Sequence, residues 1–469
     1  MRYVVLQKCT TMRFLLLSSL LLLSTCAFGQ GSLSLSEAAK MTFATNHAIK
    51  AADYQLLAAK RERQAALGLY APQFNLNSAW VYAQKDISID ANPLKNLLGA
   101  LDVGSLLGLD WRYTIQKRSF GFIEADITMP IFMGGKIIAA NRAATITEKL
   151  ALTNQKFTQS NTFTELIDRY FALSLARNAT QLRAKVVESL ERHLDDIETL
   201  KQNGMATAAD CLYVEYRLAE AEQRLSAARA TEQLAHSALC ATTGCDTIGI
   251  LSTPIFYTTA IESLSHFKAL AEDNNLQLEQ VAAERELAKQ NIAIHRAEFM
   301  PQIVAMGGGA LTHQVTDLLP RWVVGVGLNF KLFDGLRREF NYSAAKSSYR
   351  RVVELESAAK QDISLLVTNL YNKTIVALEQ VLAQQRLVDF AKEFLTITQC
   401  SFHEGVATSV AVIDATVALA VAQIEQLEAA YNFDTNLARL LEAAGIVDQY
   451  FRYSESYSKH ILEYETEKQ

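Results

Sequence analysis

Residues able to do chemistry are present in this chain, but not in arrangements that would let them do it. His403-Glu404 starts the pattern of a zinc-protease helix and lacks the second histidine, without which that metal site has no second nitrogen ligand. Gly307-Gly308-Gly309 has no lysine to reach a phosphate and no following helix to cradle one. The eight histidines are scattered, and a surface or packing role is the default for each. Of the six cysteines, Cys9 and Cys26 lie near the N-terminus, and Cys211, Cys240, Cys245 and Cys400 show no zinc spacing. Cys240-Ala-Thr-Thr-Gly-Cys245 either closes a small disulfide loop at a helix end or stays as two thiols; both readings are open. Neither an enzyme nor a cofactor is expected.

The elements that would carry such residues are unusual. No proline falls between 131 and 253 or after 320, and glycine is absent from 136–203, 205–243, 336–404 and 406–444. Those gaps are rich in strong helix formers, which predicts four uninterrupted helices in two long–short pairs. Each long helix spans roughly 100 Å at about 1.5 Å per residue. In the second, Val352, Leu355, Ala359, Leu366, Leu370, Ala377, Val381, Val388 and Leu395 recur at helical spacing, with Ile363, Val367, Tyr371 and Leu378 beside them. A stripe this wide suits a helix with neighbours on two sides. Gly204 and Gly405 sit where a left-handed residue would end each long helix, and Thr207 and Thr408 suit the caps of the returning helices. Further helices are expected over 36–70 and 262–299.

Between the helices the period changes to two. Trp322, Val324, Val326, Leu328, Phe330 and Leu332 alternate with Val323, Gly325, Gly327, Asn329 and Lys331; Ile123, Ala125, Ile127, Met129 and Ile131 oppose Glu124, Asp126 and Thr128. Phe74, Leu76, Trp80 and Tyr82 mark another strand, and 302–311 a weaker one. Arg2, Lys8 and Arg13 precede a leucine-rich run and then small residues, the layout of a secretory signal peptide over 1–29. Leu23-Ser24-Thr25-Cys26 also has the outline of a lipidation site, so the fate of Cys26 stays open. In an exported chain, alternating segments of about ten residues point to a transmembrane β-barrel. Four strands cannot close a barrel, and an open edge cannot sit in lipid, so several chains must share one. Glu124, Asp126 and Lys331 are then expected to face its wet interior. A formal charge of −5, without a basic run, argues against nucleic acid as a partner.

The chain also repeats itself. Gly204-Met205-Ala206-Thr207 returns as Gly405-Val406-Ala407-Thr408, at an offset of 201, which also links Phe132 with Phe333 and Gly244 with Gly445. Asn46 and Pro72-Gln73 match Asn275 and Pro301-Gln302 at an offset of 229. The slip of 28 falls in a long external loop within 85–119, which holds Pro93-Leu94 and Leu97-Leu98. Repeat 1 is expected over 36–244, repeat 2 over 262–445, and a polar, partly helical tail over 446–469. Duplicated units commonly cannot bury their apolar faces alone.

In Pro72-Gln73 and Pro301-Gln302, in Pro130-Ile131-Phe132-Met133-Gly134-Gly135, and in the two Gly-x-Ala-Thr tips, the chain resembles the TolC family of outer-membrane efflux proteins from about 36 to 445. The resemblance implies an α+β membrane protein. It would be a homotrimer whose four strands per chain close a 12-stranded barrel in outer-membrane lipid, continued by a periplasmic α-helical barrel. A periplasmic adaptor would meet the tips at Gly204, Thr207, Gly405 and Thr408, and an inner-membrane pump would supply the energy for efflux or type I secretion. The family narrows its periplasmic entrance with acids at the sixth and ninth positions after the second tip glycine; here these are Ala411 and Asp414. Its tyrosine and arginine latch positions hold Phe402 and Ala407, while the acidic partner matches at Asp210. Asp210 also lies three residues after Thr207, where it would support a helix start. A pore-free exported coiled-coil scaffold is the alternative reading, and it predicts no lipid band. An exported enzyme is a second rival, disfavoured by helices that leave no cleft.

Two substitutions test the entrance. Asp210→Ala is expected to leave resting conductance in planar bilayers nearly unchanged, because the basic half of the latch is missing. Asp414→Asn is expected to lower cation selectivity, because a ring of like charges attracts cations; unchanged reversal potentials would remove that role.

Overall fold

A computed structural model describes residues 32–92, 112–312 and 320–456. The expected signal segment with Cys26, the apolar stretch from Pro93 to Leu101 and the end of the tail lie outside the described residues. In chain order the helices and strands are α1 (Leu35–Thr45), α2 (His47–Leu67), β1 (Gln73–Tyr82), β2 (Ile87–Asp90), β3 (Arg112–Gln116), β4 (Ser119–Phe132), α3 (Lys136–Gln202), α4 (Ala208–Thr243), α5 (Leu264–Asn274), α6 (Leu276–Ala297), β5 (Gln302–Ala310), β6 (Trp322–Asn329), α7 (Arg337–His403), α8 (Ser409–Ala443) and α9 (Tyr450–Ser456). The four helices expected from the glycine gaps thus form as continuous elements. Two compact units divide the chain. One comprises Met1–Gln55, Ala151–Val281 and Glu356–Gln469, the other Leu56–Leu150 and Ala282–Leu355.

The second unit holds the sheet. Its strands are ordered β1-β4-β5-β6, all antiparallel. The register puts Phe74, Leu76, Trp80 and Tyr82 on the face of Ile123 and Ile127, of Ile303, and of Trp322, Val324, Val326 and Leu328. The other face is mixed: it carries Asn75, Asn77, Glu124, Asp126, Thr128 and Gln302 together with Phe120, Phe122, Met306 and Val323. On it the Asn75 and Asn77 amides each donate to one carboxylate oxygen of Asp126 at 2.8 Å. The apolar face is bare: Trp80 is 72% exposed and Val324 71%.

Two expectations about strands need correction. Alternation continues through Phe330, Lys331 and Leu332, yet β6 stops at Asn329, paired with Gln302. The partner strand ends there because Pro301 has no N–H to extend the ladder. Lys331 therefore lies beyond the strand, and its carbonyl accepts from the Arg338 guanidinium at 2.8 Å. The expected loop over 85–119 contains strands of its own, since β2 pairs antiparallel with β3. An ion pair between Asp90 and Arg112, at 3.2 Å, stands at the end of that ribbon where the chain passes from β2 to β3.

The first unit is helical, and in its main apolar core Tyr170, Phe171, Phe267, Phe433 and Tyr450 are fully buried. Leu33 forms a parallel bridge with Leu251, and the Tyr170 hydroxyl locks it by donating to the Leu33 carbonyl at 2.7 Å and accepting from the Thr253 amide at 3.0 Å. Among the described residues, α8 alone is long and apolar enough to cross a membrane. Its hydropathy has another cause. Phe433, Leu437, Leu440 and Leu441 have no exposed surface, so its apolar residues are spent on this core. The tail also differs from expectation, because its first turns are core rather than polar extension, with Tyr450 buried and Tyr453 6% exposed. Buried Asp434 lies in the same core, accepting from the Phe256 amide at 3.3 Å, and burial holds its carboxyl well above the usual range.

The helices expected as single pieces over 36–70 and 262–299 are each broken at an asparagine. Asn46 has ψ 124° and Asn275 ψ 122°, both outside the helical range. The Asn46 side chain accepts from the Ala48 and Ile49 amides, and that of Asn275 from Gln277 and Leu278, so each asparagine caps the next helix. Gly445, at φ +75°, packs beside the Asn275 break; a Cβ there would lie 2.3 Å from the Asn274 carbonyl oxygen. Asn275 carries a further bond, donating to the buried Ala443 carbonyl at 2.8 Å. Replacing it strands that carbonyl as well as the cap. Asn275→Ala is expected to cost about 2–3 kcal/mol and Asn46→Ala about 1 kcal/mol in denaturant unfolding; equal losses would contradict the assignment.

Candidate functional site at the hairpin tips

Each long helix ends the same way. Gly204 has φ +75° and Gly405 φ +76°. The following amides reach back five residues, Met205 to the Leu200 carbonyl and Val406 to the Ser401 carbonyl, both at 2.8 Å. This left-handed C-terminal motif reverses the chain, and without a Cβ glycine adopts it at no steric cost. The turns expose Met205 (69%) and Val406 (79%). Thr207 and Thr408 then cap the returning helices. Thr207 and Asp210 form a reciprocal capping box: the Thr207 hydroxyl accepts from the Asp210 amide, and the Asp210 carboxylate accepts from the Thr207 amide at 2.9 Å. These bonds from the Thr207 hydroxyl and amide hold the Asp210 carboxyl below its usual range. Thr408 accepts from the Ala411 amide at 3.3 Å, and with alanine at that position the box is half made. Asp210 and Ala411 thus occupy equivalent first-turn positions, and of Asp210's two readings its contacts are those of a cap.

Asp414 lies one turn further into α8 and is exposed. Its carboxylate is 3.1 Å from the guanidinium of Arg217 on α4. Arg217 also binds Glu220 at 2.9 Å, and Glu220 binds Arg224 at 2.5 Å. Sequence reading placed Asp414 at the entrance without finding this partner, which stands 197 positions away on another helix. An exposed pair of this kind contributes about 0–1 kcal/mol. It also offsets part of the charge that Asp414 would bring to a ring.

Phe402 stands where the resembled family places a tyrosine. It packs into an apolar cluster of Val187, Leu190, Ile197, Cys211, Val214 and Ile413. Its ring meets the imidazole of His193 edge-on at 5.1 Å. His193 is 7% exposed and its Nε2 lies 2.7 Å from the hydroxyl of buried Ser409, the first residue of α8. These contacts join α3, α4, α7 and α8. Ala407 sits half-buried in the second tip and has no side-chain group for a polar latch. Nothing in the sequence marked His193, because its partner is 216 positions distant. Glu124 and Asp126 lie on the mixed face of the sheet, in the other unit. Among the described residues, no group of three or more His, Cys, Asp and Glu could hold a metal. Cys211, Cys240, Cys245 and Cys400 are free thiols.

Residues 269–446 match the outer membrane efflux protein family. A curated relative, the alkaline protease secretion protein AprF of Pseudomonas aeruginosa, is 25% identical over 197 residues, 40% of this chain and 40% of that protein. The match thus spans well under two thirds of that relative. Among solved structures, the outer membrane protein VceC of Vibrio cholerae has a TM-score of 0.70 at 16% identity, covering 88% of this chain and 96% of that one. The Campylobacter jejuni CmeC outer membrane channel has a TM-score of 0.72 at 12% identity, covering 91% and 90%. The open state of the Neisseria gonorrhoeae MtrE outer membrane channel has a TM-score of 0.68 at 15% identity, covering 88% and 89%.

Proposed function

We propose that this chain belongs to the outer membrane efflux protein family, which its residues 269–446 match, and is an outer-membrane channel that passively conducts cargo out of the cell. The observation that carries this reading is the four-stranded sheet. One of its faces is apolar and exposed, the other mixes Asn75, Asn77, Glu124 and Asp126 with apolar residues such as Phe122 and Val323, and its outer strands β1 and β6 pair with no further strand among the described residues. In lipid every backbone polar group needs a partner, so such a sheet must close with others. Three chains would give twelve strands, with the apolar face toward lipid and Glu124 and Asp126 toward water.

The helices support the same assembly. On α7, Leu355, Leu365, Leu366, Leu387, Phe390 and Phe394 are all exposed, while Ile363, Val367, Leu370 and Val381 are buried. The buried set packs within the chain. The exposed set is a second seam that a neighbouring chain would cover in a homotrimeric helical barrel. The tips with Met205 and Val406 suit docking by a periplasmic adaptor, with an inner-membrane pump as the energy source. The name of AprF, an alkaline protease secretion protein, brings protein secretion into the range of cargo beside efflux of small compounds. A signal peptide over 1–29 and an external loop over 85–119 complete the reading.

Deleting the gene tests it. The account expects greater sensitivity to expelled compounds or loss of an exported protein, restored by the intact gene. It also expects discrete conductance steps from the purified protein in planar bilayers. Unchanged tolerance and secretion across several challenges, with no conductance, would return the chain to a scaffold.

A further inference from the structure

The start of α8 is tied to the first hairpin at two points. The first is the contact of the Ser409 hydroxyl with Nε2 of His193 on α3; the second is the ion pair of Asp414 with Arg217 on α4. Ile413, between them in sequence, is fully buried in the cluster formed with α3 and α4. Moving α8 away from the first hairpin must break both ties and expose that cluster. The two ties differ in chemistry. Arginine and aspartate keep their charges over the whole physiological pH range. Histidine is the side chain that changes charge there.

We propose that His193 is a proton-operated catch that holds the first turn of α8 against α3, beside the companion tie of Arg217 with Asp414. Neutral His193 accepts a hydrogen bond from the Ser409 hydroxyl through Nε2. Protonation puts a hydrogen on that nitrogen, so the Ser409 hydroxyl must turn to accept, and it places a cation on a ring that is only 7% exposed. It also brings a positive charge to the N-terminal end of α8, where the helix dipole is positive. A hydrogen bond with the Ser409 backbone favours the charged ring, and two titratable side chains also act on it. Asp196, on the same helix, favours the charged form, and His403 on α7 opposes it. α8 itself presents Ser409, and α4 adds the buried thiol Cys211 to the adjoining cluster. Burial is the largest influence and holds His193 below the ordinary histidine value. The sign follows. A base held low in the docked state favours docking above the ordinary value near 6.5 and loses that contribution as the pH falls below it. That the catch governs an entrance rests on the channel reading above; that it holds α8 does not.

The test is hydrogen–deuterium exchange of the full purified protein over 405–416 at about pH 7.5 and about pH 5.5, on either side of an ordinary histidine, corrected for intrinsic rates. The wild type is expected to lose protection about three- to tenfold on acidification, tenfold corresponding to one pH unit between the docked and released titrations. His193→Gln, which stays neutral, is expected to lose that response. Ser409→Ala should weaken protection at both pH values, and it provides an independent check if the glutamine variant folds poorly. An acid response of wild-type size in His193→Gln, or no response in the wild type, overturns the catch. Bilayer conductance of the same samples separates the two claims. Acid-raised open probability that His193→Gln abolishes supports the catch as a gate. Acid-loosened α8 in a protein that never conducts retains the catch and removes the channel.

Discussion

A sheet of four antiparallel strands has two edges, and here those edges, on β1 and β6, find no partner strand among the described residues. The exposed face of the same sheet carries Phe74, Trp80, Trp322 and Val324. In water, such a sheet would need cover; in lipid, it would need closure. In the proposed channel other copies of the chain complete the sheet, and shared closure is then the condition that the remaining elements must meet. The long helices fit that condition. A single seam would suffice for an isolated hairpin, yet α7 has a buried seam and an exposed one. In the proposed assembly its second apolar face packs against neighbouring copies.

The helical tips carry a different load. Backbone geometry fixes them: a left-handed glycine, a reaching amide and a threonine cap reverse the chain in a few residues. Little at the turns themselves binds one hairpin to the other. The ties lie just inside, at His193 with Ser409 and at Arg217 with Asp414. Beside the apolar cluster around Ile413, the polar ties are one titratable contact and one ion pair worth about 1 kcal/mol or less. That suits an element required to move, while the buried aromatic core around Tyr170, Phe433 and Tyr450 stays fixed.

The regular elements were legible in the sequence because they rest on local rules. Absent glycine and proline marked α3, α4, α7 and α8, and alternation marked β1, β4, β5 and β6. Where a boundary depends on a partner, the sequence was silent. β6 stops at Asn329 because Pro301, far away in sequence, ends the ladder, although alternation runs on through Lys331. Asparagine within a run of helix formers costs only tenths of a kcal/mol, so the breaks at Asn46 and Asn275 were invisible until their side chains were seen capping the next helix. At the tips, Asp210 was within reach because its partner is three residues away. His193 and Arg217 were not, since each meets α8 across roughly two hundred residues of chain.

Imaging the detergent-purified protein by negative-stain electron microscopy tests the central claim most directly, because closure by several chains is visible as symmetry. The account predicts threefold particles: a tubular helical part roughly 100 Å long, from about 1.5 Å per residue in α3 and α7, with a detergent belt at one end where the strands close. Belt-free rods or compact single-chain particles would contradict it, since the sheet edges would then be satisfied without a shared barrel.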